Sequence, residues 1–172
     1  MAKFRRLRMD ELEKLEKEFV RFLAAQSITA VDYQNILVAD PQKQLELIDR
    51  FSDVVLTKTL SNIKILEQKT PKRLIYFTFY KDHAALHGFE LAESQETDLT
   101  NFSHPEQIMH FILTNPLHIN WLKGIKPYRK EKLVEILEVL ENNCLIVQDD
   151  SVYQFIRQKF DNAEQGSVNC DQ

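Results

Sequence analysis

The chain has 172 residues, of which 44% are apolar and only three are glycine. A chain of this length buries about 70% of the surface that its unfolded form exposes, so it can build a core without disulfides. Glycine is needed where backbone surrounds a phosphate or turns sharply at a nucleophile. Gly88, Gly124 and Gly166 stand far apart, which excludes a dinucleotide-binding loop, a P-loop and a nucleophile elbow.

Charge and cysteine usage predict a reduced, soluble chain. The net charge is −4 and the isoelectric point is about 5.8. Cys144 and Cys170 show no metal-binding spacing, and no apolar run approaches the roughly 20 residues that span a bilayer. Acidic residues follow the basic start where a signal peptide would be apolar. We therefore expect a cytoplasmic protein with no membrane association, no metal and no cofactor.

Helices are predicted at the beginning of the chain. Asp10 is expected to cap one whose apolar residues recur every three or four positions. Asp32 is expected to cap a short helix through Val38. Asp40 followed by proline predicts a helix to about Leu60. The expected buried residues are Leu12, Leu15, Phe19, Phe22 and Leu23 in the first helix and Leu45, Ile48, Phe51, Val55 and Leu56 in the last.

The apolar pattern then changes to that of strands. Segments 63–66, 73–80 and 84–91 are short, and the middle one is rich in aromatic and β-branched residues. Turns at 70–72 and 81–82 make an antiparallel three-stranded meander. The middle strand is apolar on both faces, so helices should cover one face fully and the other in part.

The rest of the chain is predicted to be mainly helical. A polar connection over 93–103 leads to a helix capped by Ser103 and stopped at Asn115. A short helix then runs through Trp121 to Gly124, followed by a helix over 128–143 and a strand over 144–148. Segment 151–160 fits either a helix or the second strand of a hairpin.

Together these elements predict an α+β fold: N-terminal helices packed on an antiparallel three-stranded meander, followed by a helical C-terminal half with one extra strand or hairpin. The expected organisation is a helical layer plus meander over 1–92, the connection, and a C-terminal half over 104–160 that continues the same domain. A disordered tail is expected over 161–172, which lacks an apolar pattern.

Five sequence segments carry a resemblance over nearly the whole chain. They are KFRRL with ELEKLEKEFVRFLA, then FSDVVLTKTL, KPYRKEKL and ILEVLENN. In these the chain resembles an uncharacterised family of small bacterial proteins, known as a domain of unknown function. The resemblance implies a bacterial cytoplasmic setting and no particular activity.

Two histidines have a spacing that invites a metal interpretation. On a helix His83 and His87 would share a face, but the local pattern is that of a strand. Glu90 would then point to the opposite face, which makes a poor set of ligands. We therefore predict ordinary strand histidines and no metal site.

The strongest functional pattern is a basic segment inside an acidic protein. Segment 123–132 carries five cationic residues, one carboxylate and a tyrosine, as in surfaces that bind phosphates and stack on bases. The candidate anion or nucleic-acid site is Lys123, Lys126, Tyr128, Arg129 and Lys130, together with Arg5 and Arg6. The alternative is that Glu131, Glu135 and Glu138 pair with these basic residues at helical spacing.

Three functions follow from these patterns. We expect a non-catalytic binding or interaction protein, with an unidentified protein partner and an open oligomeric state. The first alternative is a nucleic-acid-binding protein whose C-terminal half has the element order of a winged helix. The second is an enzyme or small-ligand binder with a pocket on the aromatic sheet face. Its expected residues are Tyr76, Thr78, Tyr80 and His87, and no catalytic residue is singled out.

Overall fold

A computed structural model describes the backbone of residues 3–166 and the side chains of residues 3–161. The chain divides into two compact units, one ending at Asn62 and the other beginning at Ile63. The fold is α+β, as predicted: N-terminal helices, an antiparallel meander, and a C-terminal part that adds helices and two further strands to the same sheet.

The first unit consists of four helices. They are α1 (Met9–Lys14), α2 (Glu16–Ala25), α3 (Ala30–Ala39) and α4 (Pro41–Ser61). The predicted first helix is thus two helices, because Leu15 leaves the helical conformation with φ −109° and ψ 19°. Its cap is Arg8 rather than Asp10, and Glu11 accepts the Arg8 N–H at 2.7 Å. Thr29 caps α3, with Asp32 as the reciprocal partner of the capping box.

Helix α4 organises the first unit. Asp40 caps it by accepting the Lys43 N–H at 3.0 Å, as predicted. Phe51 is buried, and the rings of Phe19 and Phe22 lie 5.0 and 5.4 Å from its ring. The prediction that Leu45 is buried is wrong, since 39% of this residue is exposed. Leu47, two positions later, faces inward in its place.

The second unit is built on a five-stranded antiparallel sheet in the order β4-β3-β2-β1-β5. Its strands are β1 (Ile65–Lys69), β2 (Arg73–Phe79), β3 (His83–Leu91), β4 (Ile119–Pro127) and β5 (Leu145–Ile146). The three-stranded meander is confirmed. Strand β4 pairs with β3 along its full length, from Ile119 opposite Leu91 to Pro127 opposite His83.

Three α-helices complete the second unit: α5 (Pro105–Thr114), α6 (Lys132–Glu141) and α7 (Ser151–Gly166). Helix α5 begins one residue later than predicted, with His104 as its cap. The Gln107 side chain accepts the N–H groups of both Ser103 and His104, at 2.9 and 3.1 Å. Short 3-10 turns lie at Leu99–Asn101 and Pro116–His118.

The two faces of the sheet differ in what lies on them. Successive side chains of a strand point to opposite faces. We call the face of Leu74, Tyr76 and Phe89 the covered face, because these buried residues form one core with residues of α5 and α7. We call the face of Phe77 and Leu86, which are paired across β2 and β3, the cleft face.

The predicted helix through Trp121 is wrong, since these residues form β4. Side chains alternate along β4, and pairing with all nine residues of β3 outweighs the ambiguous local pattern. The following helix consequently begins at Lys132 rather than at 128. Segment 151–160 is helical, so residues 104–160 lack the order of helices and hairpin that a winged helix requires.

The predicted boundaries and the observed units divide the chain differently. The meander belongs to the unit that contains the C-terminal elements, and the division follows Asn62. Part of the tail predicted over 161–172 is helical, because α7 continues to Gly166. Residues 167–172, including Cys170, lie outside the described residues.

Gly88 is required in β3 because a side chain has no room there. A Cβ atom at this position would lie 2.2 Å from the Leu74 carbonyl oxygen, which is backbone and cannot rotate away. Gly88→Ala should therefore destabilise the fold by about 2 kcal/mol through strain. Chemical denaturation measures this, with Gly124→Ala as the matched control, since nothing lies within 4 Å of a Cβ at Gly124. Equal stabilities of the two variants would contradict the close approach.

Candidate functional site

An apolar cleft lies on the cleft face of the sheet, beside α6. Its volume is about 290 Å³, and its lining combines three strands with the helix. The apolar lining residues are Phe77, Phe79, Ala84, Ala85, Leu86, Gly124, Ile125 and Val139. Two charged residues, Lys126 and Glu135, complete the lining.

Gly124 gives the cleft its floor at β4. It lies opposite Leu86, which in turn lies opposite Phe77, so the three positions share one row across the sheet. A side chain at Gly124 would stand in this row, but glycine has none, and the space above it is open. The missing side chain thus leaves room that a large side chain would fill.

Glu135 connects the elements of one wall of the cleft through hydrogen bonds. This residue is only 5% exposed. One of its carboxylate oxygens accepts the backbone N–H groups of Arg129 and Lys130, at 2.8 and 3.1 Å. The other accepts the Lys126 ammonium at 2.7 Å. Together these bonds, led by the one from Lys126, lower the pKa of Glu135 to about 2. The carboxylate therefore ties β4 and the loop before α6 to the helix itself.

The Glu135 carboxylate is poorly suited to act as a general base. A general base works best when its pKa is near the operating pH, and the pKa of Glu135 is far below neutrality. No cysteine or serine is among the lining residues of the cleft in the part of the chain that the structure describes. Its chemistry is that of an apolar container with one neutralised ion pair at the edge.

The structure shows how the predicted basic segment is placed. Lys126 pairs with Glu135 and Lys130 pairs with Glu138, at separations of nine and eight positions rather than at helical spacing. The Lys123 ammonium lies 5.8 Å from the centre of the Phe160 ring. Segment 123–138 retains five cationic residues against three carboxylates, so its formal charge of +2 is smaller than the +4 of its first ten residues.

The remaining members of the predicted anion site have their own partners. The Tyr128 hydroxyl donates to the Tyr80 carbonyl at 3.0 Å, and burial raises the Tyr128 pKa. Arg5 pairs with Glu11 at 2.7 Å. Arg6 pairs with Asp49, also at 2.7 Å. Arg129 is exposed, and its guanidinium has no bonding partner among the described residues. Arg5 and Arg6 belong to the first unit and the other members to the second.

The predicted pocket residues Tyr76, Thr78, Tyr80 and His87 lie elsewhere than the cleft. Tyr76 is buried under Tyr153 of α7, with the two ring centres 5.7 Å apart, and its hydroxyl donates to Glu67 at 2.6 Å. The His87 ring contacts Tyr153 and Phe160 of the same helix. Helix α7 thus occupies the space over Tyr76 and His87, where a ligand was expected.

The histidines lie apart from any cluster of metal ligands. His83 stacks on Tyr80, with the ring centres 4.8 Å apart, and its Nδ1 lies 2.8 Å from an Asp82 oxygen. Among the side chains of residues 3–161, no group of three or more histidine, cysteine or acidic residues could hold a metal ion. Cys144 is buried, and burial raises the pKa of its thiol.

Sequence reasoning missed the residues that make the cleft. The sequence predicts Gly124 as the end of a helix and Glu135 as a counter-charge of the basic segment. It predicts two apolar faces for the middle strand, and no pattern shows which of them stays open. One signal was present in the sequence. Gly124 lies two positions after Leu122 and two before Lys126, so in a strand the three residues share one face. A glycine in such a row is typical of a strand with a gap on that face.

None of the helices described in residues 3–166 combines the length and apolar character that crossing a bilayer requires. No curated protein and no solved structure gives a significant match to the chain. A protein family does match, over residues 1–161. Since this region is nearly the whole chain, the protein belongs to DUF6495, a family of unknown function.

Proposed function

We propose that the protein is a non-catalytic binding protein that holds an apolar group in the cleft. The observation that carries this proposal is the open apolar volume of about 290 Å³ over Gly124, where a Cβ atom would meet nothing within 4 Å. Ligand sites in proteins are typically concave, largely apolar and preformed. The predicted setting in the bacterial cytoplasm stays an expectation.

The volume limits the size of what binds. An apolar cavity of about 150 Å³ holds a benzene molecule, and this cleft has roughly twice that volume, about 290 Å³. A bicyclic ring, a short acyl chain or a large apolar side chain fits. The ion pair of Lys126 and Glu135 adds polarity at one edge but no net charge.

Indole should therefore bind the wild-type protein, with a dissociation constant on the order of 1 mM for so small a ligand. The measurement is an NMR titration that follows the methyl groups of Leu86 and Val139 and the Gly124 amide. Gly124→Leu should weaken binding at least about tenfold, because its side chain occupies the cleft. Gly124→Ala is the matched control and should retain binding.

Two results would contradict the proposal. If indole shifts the methyl resonances of the covered face, such as those of Ile108 or Ile156, the ligand binds outside the cleft. Wild-type protein whose cleft resonances do not move at saturating indole would show that the space does not accept an apolar group.

A further inference from the structure

Strand β4 is at one end of the sheet, and its second edge has no neighbouring strand in the described part of the chain. It is nine residues long, whereas protected edge strands are usually short. Most of its residues are exposed, including Ile125 at 69% and Trp121 at 38%. β4 is therefore a long, accessible edge.

The hydrogen bonds at the two ends of β4 show which backbone groups point outward. The Ala92 N–H donates to the His118 carbonyl, and the Tyr128 N–H donates to the Asp82 carbonyl. In an antiparallel pair, hydrogen-bonded and non-hydrogen-bonded pairs alternate. With the continuous register of β4, the even-numbered residues bond to β3. The odd-numbered residues, including Trp121 and Ile125, direct their N–H and C=O groups away from the sheet.

The cleft reaches this same edge, since Gly124, Ile125 and Lys126 contribute to its lining. A strand added beside β4 would place one residue directly opposite Gly124, with its side chain on the cleft face. Such a pair would be of the non-hydrogen-bonded kind, in which the Cα atoms are only about 4.5 Å apart. The added side chain would therefore lie over the open space above Gly124.

Charge selects among the strands that could occupy this edge. β4 itself carries no carboxylate. Segment 123–138 keeps a formal charge of +2 after Glu135 and Glu138, the partners of Lys126 and Lys130, are counted. A second copy pairing through its own β4 would bring two segments of this net charge together, which is unfavourable. A segment with acidic residues beside an apolar one is complementary to this edge.

We propose that β4 binds an extended, acidic segment of a partner protein by strand addition, and that a large apolar side chain of this segment enters the cleft. The inference rests on the proposed function, because it names the apolar group that the cleft holds. Main-chain hydrogen bonds supply affinity in this mode of recognition, and the side-chain pocket supplies specificity.

The test begins with a displayed library of random dodecapeptides selected against the full chain. Enriched peptides should contain one large apolar residue with aspartate or glutamate nearby. Their synthetic versions should bind at least about tenfold more weakly to Ile125→Pro, since proline removes an N–H that points outward and leaves the bonds to β3 intact. Ile125→Val, which keeps the N–H, should bind as wild type does.

Two variants separate this inference from the proposed function. Lys123→Pro removes another outward N–H at a residue that does not line the cleft, so it should weaken peptide binding and still bind indole, whereas Gly124→Leu should lose both. Hydrogen exchange on the wild-type protein gives a second readout: the peptide should slow exchange at Trp121 and Ile125. Unchanged exchange there would overturn strand addition even if the proline variant fails to fold.

Three further outcomes would also overturn the inference. One is a selection that enriches no peptide, and another is peptide binding to Ile125→Pro with unchanged affinity. The third is a dimer of the wild-type protein, observed by sedimentation, that the Ile125→Pro variant does not form. The last would identify a second copy as the occupant of the edge.

Discussion

Phe51→Ala should lower the free energy of unfolding by about 3–5 kcal/mol, the cost of deleting a buried phenylalanine ring. Phe51 is 2% exposed. Its ring packs against Phe19 and Phe22 of α2, with ring centres 5.0 and 5.4 Å away. The alanine variant loses these contacts and leaves a cavity that the surrounding helices cannot fully close. Urea denaturation followed by circular dichroism measures the change.

Leu45→Ala is the matched control on the same helix. Because 39% of Leu45 is exposed, its truncation should cost about 1 kcal/mol or less. The sequence predicted that both residues are buried, so the pair also tests the correction that the structure makes. Similar losses for the two variants would contradict the packing of α4.

Glu135→Ala should cost about 3 kcal/mol, because it removes a buried carboxylate that accepts three hydrogen bonds. The Arg129 and Lys130 N–H groups lose their acceptor, and Lys126 loses its counter-charge. Glu138→Ala is the control on the same helix. Glu138 pairs with Lys130 at the surface, and exposed pairs contribute only about 0–1 kcal/mol. Equal losses for the two variants would show that Glu135 does not anchor the loop.

The contribution of Glu135 depends on pH in a defined direction. Its pKa is about 2 in the folded protein, below the ordinary value of 4.5. The folded state therefore binds fewer protons, and the stabilisation is complete above about pH 4.5 and is lost as the pH falls towards 2. The free energy of unfolding of Glu135→Gln should fall less steeply over this pH range than that of the wild type. The pKa of Glu11 is also lowered to about 2, chiefly by Arg5. Glu11 therefore adds a loss of stability at low pH that both proteins share.

The helices and the meander could be predicted from the sequence because their signals are local. Asp40 before Pro41 specifies where α4 begins, and the aromatic and β-branched residues of β2 specify a strand with two apolar faces. Strand β4 could not be predicted in the same way. Its residues fit a short helix nearly as well, and the deciding interaction is pairing with β3, about 36 positions earlier at its centre.

The candidate site depended on features that are not local. The missing side chain of Gly124 becomes a cleft only because Phe77 and Leu86 lie beside it in the sheet. The predicted pocket residues Tyr76 and His87 are on the opposite face, and segment 151–160, which could not be assigned, forms the helix that covers them. The charges of segment 123–132 were visible in the sequence, but the burial of their counter-ion Glu135 was not.

An apolar group should enter the cleft over Gly124. Diffraction from a crystal pressurised with xenon measures this, since xenon enters apolar cavities and no ligand has to be guessed in advance. We predict a xenon atom beside Phe77, Leu86 and Gly124 in the wild-type protein and none there in Gly124→Leu. A wild-type cleft that stays free of xenon, or one that is filled by protein side chains, would contradict the account.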